Sequence, residues 1–242
     1  MIVLFTDFGL EGPYIGQVQA VLHGEAPGVP VVNLFADAPA HAPKLAAYLL
    51  AAYAPAFPAG SVFLAVVDSG VGGVRAPAIL EAEGRWYVGP ENGLFAILAR
   101  RAGGARWWRI EADKARLSAS FHGRDLFAPA AAKLARGEPP AGDVQAIADL
   151  LRPDWPDDLA RIVYVDRFGN AMTGLRAAGL AAGTVLCVGA HRLTRARTFS
   201  EVPPGTAFWY ENANGLAEIA VNRGRADAAL GLTLDDVVTL MR

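Results

Sequence analysis

An uninterrupted apolar run, VFLAVV at residues 62–67, constrains the fold most. A run this short, apolar and rich in valine predicts a central strand covered on both faces. Two more strand-like runs, at residues 2–5 and 31–35, alternate with helical patterns at residues 14–23 and 43–54. This alternation predicts a layered α/β domain with a mostly parallel sheet.

The pattern changes near residue 152. Before it we expect a hairpin around Gly84, formed by residues 78–83 and 85–88, and helices at residues 92–101 and 125–136. Residues 153–158 are rich in proline and aspartate and predict a linker between domains at 1–152 and 159–242. After it, short strands are expected at residues 161–165, 184–188, 207–211 and 216–221, with a helix only at 235–241. This pattern predicts a small all-β, barrel-like second domain.

Composition excludes several classes of protein. Of the 242 residues, 53% are hydrophobic and 19% charged, which excludes a disordered chain. A net charge of −2 predicts no nucleic-acid or anionic membrane partner. The single cysteine, Cys187, excludes an internal disulfide framework, and no metal-ligand spacing is present. The longest uncharged run, residues 45–67, contains two prolines and cannot form one membrane-spanning helix. The start of the chain lacks a basic signal region, so we expect a cytoplasmic protein.

Polar groups follow the first strand and the most apolar strand. Asp7, in TDFG, comes at the carboxyl end of the first strand, the edge where open α/β sheets bind ligands. It either accepts hydrogen bonds from a ribose diol or caps the next helix. Asp68 and Arg75 flank the glycine-rich segment DSGVGGVR, which lacks the GxGxxG and phosphate-loop patterns. They form either a site or a structural ion pair in a tight loop.

Two further clusters carry candidate site residues. His122 stands in SASFHGRD before a helix, where Arg124 and Asp125 are explained equally well as a cap and its ion pair. The other three histidines are interpreted as structural. Asp166, Phe168 and Asn170, in YVDRFGN, suit a ligand with an ammonium group and a purine, although a hairpin turn with a buried phenylalanine is the alternative. Phe199 and residues 211–215 are candidates to complete that pocket.

In this order the motifs TDFG, VVDSGVGGVR, VGPENGL, SFHGRDLFAP and YVDRFGN resemble one family over nearly the whole chain. This family is the S-adenosyl-L-methionine (SAM) hydrolases, or SAM hydroxide adenosyltransferases, which are related to the SAM-dependent fluorinase and chlorinase. The resemblance implies hydrolysis of SAM to adenosine and L-methionine with no cofactor. It also implies an N-terminal α/β domain, a C-terminal β-barrel, and a homotrimer with SAM between neighbouring subunits.

The resemblance also implies a role for each candidate. The implied catalytic residues, which handle the attacking water, are Asp68, Arg75 and His122. The implied binding residues are Asp7 for the ribose and Asp166 for the methionine ammonium. The adenine would lie between Phe168 and Phe199, with Asn170 on its edge. The segment from Asn214 to Arg223 would line the other side, where main-chain groups near Val221 and Arg223 read the base.

Three positions depart from the family pattern: Ser69 replaces a usual proline, Glu91 a usual aspartate, and Ala213 a serine found in many relatives. Two other functions stay open. The halogenases are disfavoured because they have a Tyr-Ser or Tyr-Gly pair in place of His122-Gly123, and because Asp68 would repel a halide. A SAM- or adenosine-binding protein without catalysis is the other alternative.

Overall fold

The computed structural model describes residues 1–111 and 117–241, which divide into two compact units. The first unit comprises Met1–Leu50 and Phe57–Pro153. The second comprises Ala51–Ala56 and the chain from Asp154 onward. The main division, between Pro153 and Asp154, falls inside the segment expected to be the linker, residues 153–158, and a short earlier segment groups with the second unit.

A seven-stranded sheet forms the centre of the first unit, in the order β2-β1-β3-β5-β4-β6-β7. β1 pairs in parallel with β2 and β3, and β3 pairs in parallel with β5, whereas β4 and β7 run antiparallel to their neighbours. Five of the seven strands therefore point the same way, which confirms a mostly parallel sheet. The strands are β1 Ile2–Thr6, β2 Val31–Phe35, β3 Val62–Val66, β4 Pro77–Ala82, β5 Arg85–Pro90, β6 Ala105–Arg109 and β7 Asp143–Gln145.

Helices α1 and α4 pack together against one face of β1 and β3. Every residue of β3 is buried, as its apolar sequence predicts. The predicted helix at 125–136 consists of a π-helical turn, Gly123–Phe127, followed by α4. The helices of this part of the chain are α1 Tyr14–Glu25, α2 Pro43–Tyr53, α3 Ala96–Arg101 and α4 Ala128–Ala135.

The parallel pairing of β1 with β3 determines where the polar loops emerge. Thr6 is in register with Val66, so the chain leaves both strands at the same edge of the sheet. Asp7 follows the end of β1 directly, and Asp68 follows the end of β3 after one residue. Two carboxylates far apart in sequence are thereby brought to one edge, where open α/β sheets bind ligands.

The second unit contains two antiparallel sheets, β12-β13-β9-β8 and β11-β10-β14. Isolated bridges, Arg161 with Val237 and Arg195 with Trp209, link the two sheets at both ends, giving a barrel-like arrangement. Its core contains the buried Trp209, whose indole N–H donates to the carbonyl of Thr184 over 3.0 Å. The elements are β8 Leu159–Val165, β9 Ala171–Arg176, β10 Val185–Val188, β11 His191–Leu193, β12 Ala207–Glu211, β13 Leu216–Val221, α5 Ala226–Leu230 and β14 Thr239–Met241.

The helix expected at residues 235–241 is wrong. Thr239–Met241 forms the strand β14, which pairs antiparallel with β10, and the short helix α5 lies earlier in the chain. The segment contains Val237, Val238 and Thr239, and consecutive β-branched residues favour a strand when a partner is available. That partner is about fifty residues earlier in the chain, beyond the reach of local periodicity.

In the described ranges, no helix has the length and apolar character needed to cross a membrane. Nor do three or more His, Cys, Asp or Glu side chains converge there into a group that could hold a metal ion.

Candidate active site

Asp68, Arg75 and His122 form one continuous hydrogen-bonded array. Arg75 Nε lies 3.1 Å from Oδ1 and 2.9 Å from Oδ2 of Asp68, and its Nη2 also donates to Oδ2. The same Nη2 lies 3.0 Å from Nδ1 of His122. A guanidinium can only donate, so Nδ1 accepts and the neutral ring carries its proton on Nε2. The structure therefore brings together the three residues predicted to be catalytic.

The two charged members of this array are nearly enclosed. The side chains of Asp68 and Arg75 are 5% and 10% exposed. The Arg75 guanidinium also lies 5.2 Å from the centre of the Phe127 ring, a cation–π contact. Charge-assisted hydrogen bonds are stronger where the groups are shielded from water, whereas an ion pair on the surface contributes little.

Backbone contacts fix the loop that carries Asp68 and Arg75. The Asn92 side chain donates to the carbonyl of Val67 over 2.8 Å, immediately before Asp68. Gly72 has φ +78°, and a Cβ there would lie 2.5 Å from the carbonyl oxygen of Ala119. The loop therefore packs against the segment that precedes His122, at a distance that only glycine permits.

The turn after His122 is held by the pair Arg124–Asp125. Arg124 Nε lies 2.5 Å from Asp125 Oδ1, and Asp125 Oδ2 accepts the backbone N–H of Ser118 over 2.9 Å. Arg124 also donates to Gln17 of α1 over 2.8 Å. These contacts support the structural explanation of Arg124 and Asp125, which position the turn at His122.

A cavity of about 250 Å³ in the first unit is lined by Asp7, Asp68 and His122 together with the aromatic rings Phe8, Tyr14 and Phe121. Phe8 and Tyr14 each make an edge-to-face contact with Phe121. The ring centres lie 5.6 Å apart for Phe8 and 5.4 Å apart for Tyr14. The cavity therefore offers both carboxylates and aromatic rings, a combination that suits a sugar or nucleoside group.

Asp7 lies in this cavity as a partly desolvated carboxylate. Its Oδ2 accepts the backbone N–H of His41 over 3.3 Å. Burial raises the pKa of the Asp7 carboxyl, and the hydrogen bond from His41 opposes that rise in part. The sequence analysis missed His41 as a neighbour of the site because its contribution is a backbone N–H in a residue with φ +58°.

A second cavity, open and about 720 Å³, lies within the second unit. It is lined by six of the predicted binding residues: Asp166, Phe168, Asn170, Phe199, Val221 and Arg223. The Phe168 side chain is 75% exposed, so the alternative that placed it in the core is wrong. A large aromatic ring held in water beside a cavity indicates a contact surface for a ligand or partner.

Hydrogen bonds between its first and last residues hold the loop from Asp166 to Asn170 in shape. The backbone N–H of Asn170 donates to Asp166 Oδ1 over 2.9 Å, and its Nδ2 donates to Asp166 Oδ2 over 3.2 Å. Gly169 has φ +82°, and a Cβ there would lie 2.4 Å from Asp227. Asp227 is in turn paired with Arg225, which also donates to the carbonyl of Arg167 over 2.7 Å.

Asn214 is the predicted binding residue that borders neither cavity. It lies in the turn between β12 and β13, where its backbone N–H donates to Asn212 Oδ1 over 2.9 Å. Its predicted role stays a prediction. The neighbouring Ala213 and the loop residue Ser69, two of the three departures, make no contact that explains them.

Glu91, the third departure, is explained by an ion pair. Its Oε1 lies 2.5 Å from Nη2 of Arg152. The glutamate therefore pairs with an arginine near the end of the first unit.

The sequence analysis did not single out two residues of the second cavity region: Tyr210, and Glu218, which falls within the implied binding segment from Asn214 to Arg223. Tyr210 lines the cavity and Glu218 lies buried beneath it, with the Tyr210 hydroxyl 2.5 Å from Glu218 Oε1. Burial raises the pKa of Glu218 and that of Tyr210. A charged residue inside the apolar strand LAEIAV was the available signal.

Comparison with known proteins identifies the family of this chain. The profile of the SAM hydroxide adenosyltransferase N-terminal domain matches residues 2–143, and that of the C-terminal domain matches residues 160–239. The chain is 42% identical over 247 residues to a Thermus thermophilus protein named (R)-S-adenosyl-L-methionine hydrolase, covering 96% of this chain and 95% of that protein. A protein of the same name from Salinispora arenicola is 36% identical, with coverage of 96% and 94%.

A solved structure has the same fold. The crystal structure of an uncharacterised conserved protein from Thermotoga maritima superposes with a TM-score of 0.89 at 29% identity, covering 100% of both chains. Both domain profiles and close relatives over nearly the full length lead to one conclusion. This chain belongs to the SAM hydroxide adenosyltransferase family of enzymes, which hydrolyse SAM to adenosine and L-methionine.

Proposed function

We propose that this SAM hydrolase activates water with Asp68, Arg75 and His122 and directs it at C5′ of the ribose. The observation that carries the proposal is the continuous array from Asp68 through Arg75 to His122, at the wall of a cavity that also contains Asp7. The relatives named (R)-S-adenosyl-L-methionine hydrolase support the (R) sulfonium epimer as the preferred substrate.

Activation of the nucleophile, water, is the difficult step in this reaction. Methionine leaves as a neutral thioether, so the leaving group needs no acid, whereas free water has a pKa of about 15.7. In the proposed mechanism Asp68 accepts a proton from the attacking water. Arg75 and His122 hold the oxygen and stabilise the negative charge that develops on it. Alignment of oxygen, C5′ and sulfur within about 3–3.5 Å supplies a further part of the rate enhancement.

The remaining predicted residues would hold the rest of the substrate. Asp7 binds the ribose hydroxyls, and Asp166 binds the methionine ammonium. The adenine lies between Phe168 and Phe199, with Asn170 at its edge. Main-chain groups near Val221 and Arg223 also read the base. Support comes from the position of Asp7 in the first cavity and of the other residues in the second.

We extend the proposal to a homotrimer in which SAM binds between neighbouring subunits. Each cavity carries only part of the groups that SAM requires, and each lies within one unit. The exposed ring of Phe168 is available for a contact outside its own unit. The substrate needs no cofactor in this scheme, and the cytoplasm is the proposed compartment, in agreement with the one free cysteine.

The charge of the array favours hydrolysis over halogenation. A halide must approach C5′ along the line that water takes, and the carboxylate of Asp68 repels it there. Incubation with SAM and chloride or fluoride, followed by product analysis, separates the two reactions. A halogenated nucleoside would exclude the proposal.

Chromatography of the protein incubated with each SAM epimer tests the proposed function. The expected products are adenosine and methionine in equal amounts, formed faster from the (R) epimer. Asp68→Asn, which preserves shape, is expected to lower kcat by about 10²–10⁴-fold while adenosine still binds. Normal turnover in Asp68→Asn and in His122→Ala would remove the array from the mechanism. Binding of SAM with no adenosine released would identify a non-catalytic binding protein instead.

A further inference from the structure

The loop between β3 and β4, residues 67–76 and here called the array loop, has to pass the end of a third strand. In the sheet, β5 lies between β3 and β4. It runs parallel to β3 and antiparallel to β4, and its last residue, Pro90, is in register with Pro77, the first residue of β4. The turn after β5 therefore lies beside the array loop. This turn belongs to the motif VGPENGL, which the proposed mechanism does not use.

Two hydrogen bonds from this turn hold the array loop, one at each end. The side-chain Nδ2 of Asn92 donates to the carbonyl of Val67 over 2.8 Å. The backbone N–H of Glu91 donates to the carbonyl of Ala76 over 2.8 Å. Val67 and Ala76 are the first and last residues of the array loop. Neighbouring residues of one turn thus attach both ends of that loop to the end of β5.

The contact made by Asn92 is specific in its geometry. Its Oδ1 accepts the backbone N–H of Leu94 over 3.3 Å, so the two ends of the amide have different partners. Val67 is fully buried, and a buried carbonyl that loses its donor is costly. This carbonyl belongs to the planar peptide that joins Val67 to Asp68, so its hydrogen bond fixes the direction in which the chain enters Asp68.

We propose that Asn92 is a positioning residue that holds the Asp68–Arg75 pair in place relative to His122. The ion pair itself cannot do this, because both of its residues belong to the array loop and move together with it. His122 lies on another segment, and its Nδ1 is 3.0 Å from Arg75 Nη2. The inference rests on the proposed function, because it takes this array to activate water. A displacement of about 1 Å at a reacting group can lower a rate by about 100-fold.

Asn92→Leu tests the proposal. Leucine has nearly the shape of asparagine but neither donates nor accepts, so it fills the space and offers Val67 no hydrogen bond. We expect kcat to fall by about 10–100-fold because the array is displaced. KM for SAM should stay within about threefold, since the groups proposed to bind SAM are unchanged. An unchanged kcat, or a change in KM alone, would overturn the proposal.

Glu91→Gln is the matched control in the same turn. The Glu91 side chain pairs with Arg152, whereas its contact with the array loop is made by the backbone and survives the substitution. We expect kcat to stay within about threefold of that of the unmodified enzyme. A loss as large as that in Asn92→Leu would show that any change in this turn impairs turnover, and would also overturn the proposal.

Asn92→Asp adds a test that depends on pH and covers the case in which Asn92→Leu does not fold. The introduced carboxyl group keeps an oxygen for the N–H of Leu94. When ionised it cannot donate to Val67, and when protonated it can. We expect kcat, as a fraction of that of the unmodified enzyme at the same pH, to rise as the pH falls through the pKa of the introduced group. A fraction that does not change with pH would contradict the role given to the donated hydrogen bond.

The imidazole of His122 gives a readout that does not depend on turnover. Its Nδ1 resonance in the ¹⁵N NMR spectrum, assigned by its loss in His122→Ala, reports the hydrogen bond from Arg75. We expect this resonance to shift in Asn92→Leu and to stay in place in Glu91→Gln. An unmoved resonance in Asn92→Leu would overturn the proposal. Normal turnover in Asp68→Asn and His122→Ala would count against the proposed function, whereas the His122 resonance would still decide whether Asn92 positions the array.

Discussion

At the scale of single residues, the first cavity contains two carboxylates in different environments. Asp68 accepts hydrogen bonds from the Arg75 guanidinium and from the backbone N–H of Gly70 at 3.2 Å. Asp7 accepts the backbone N–H of His41, and burial raises its pKa. A carboxylate that has lost water on burial gains free energy when a ligand donates hydrogen bonds to it.

Asp7→Asn tests how much the desolvated carboxylate of Asp7 lowers the stability of the fold. An acid whose pKa is raised on folding lowers the stability of the fold at pH values above that pKa, and stability recovers as the pH falls through it. The substitution removes the charge, so we expect a higher Tm near neutral pH. Adenosine affinity is expected to fall by roughly tenfold or more, the equivalent of a lost charged hydrogen bond. Thermal unfolding measures the change in Tm, and calorimetry measures the adenosine affinity. An unchanged affinity would remove Asp7 from ribose binding.

The same raised pKa predicts an acid limb in the pH profile. As the pH falls through the pKa of Asp7, the carboxyl protonates and binds the ribose hydroxyls less well. We expect kcat/KM to decline there through KM. The profile of Asp7→Asn, measured over the same range, should lack this part of the decline. Superimposable profiles would assign the limb to another group.

At the scale of elements, the site depends on how the loop after β3 meets the turn at His122. Gly72 approaches the carbonyl of Ala119 to a distance that excludes a side chain, and Gly123 is similarly close to the Phe8 ring. The π-helical turn Gly123–Phe127 begins directly after His122. π-helical turns commonly occur at functional sites, where they change the direction of a side chain.

Gly72→Ala should separate these two elements. The new Cβ would meet the Ala119 carbonyl, and alanine is strained at φ +78° by about 1–2 kcal/mol. We expect a clear loss of kcat with the fold retained in circular dichroism. Gly70→Ala is the control, because its Cβ would lie 3.7 Å from its nearest neighbours, an ordinary contact. Equal activity of the two variants would contradict the role given to the close approach.

Local sequence patterns predicted those features that depend on local chemistry. The apolar run of β3 and the polar turn at Asp7 are examples, because burial and strand ends leave local marks. β14 was mistaken for a helix, since its partner β10 is distant in the chain. The buried Glu218 was not singled out for another reason: Tyr210, which donates to it, becomes its neighbour only when β12 pairs with β13. Local patterns left Asp68 and Arg75 open as either a site or a structural ion pair. Only the resemblance to a known family grouped them with His122.

At the scale of the whole molecule, the proposed trimer makes each active site a composite of two subunits. If so, a variant damaged in the first cavity and another damaged in the second can complement each other. We expect Asp68→Asn and Asp166→Asn to be nearly inactive alone. After joint unfolding and refolding in equal amounts, random trimers should recover about a quarter of normal activity, because about one site in four receives two intact halves. No recovery, with mixed trimers verified by mass, would place all the groups of a site in one subunit.

Hydrolysis in water enriched in ¹⁸O tests the central claim most directly, because it identifies which bond the activated water makes. If water attacks C5′ and displaces sulfur, mass spectrometry will detect one ¹⁸O atom in the 5′-hydroxyl of adenosine and none in methionine. Unlabelled adenosine, or label in a homoserine product, would contradict attack at C5′ and with it the role assigned to Asp68, Arg75 and His122.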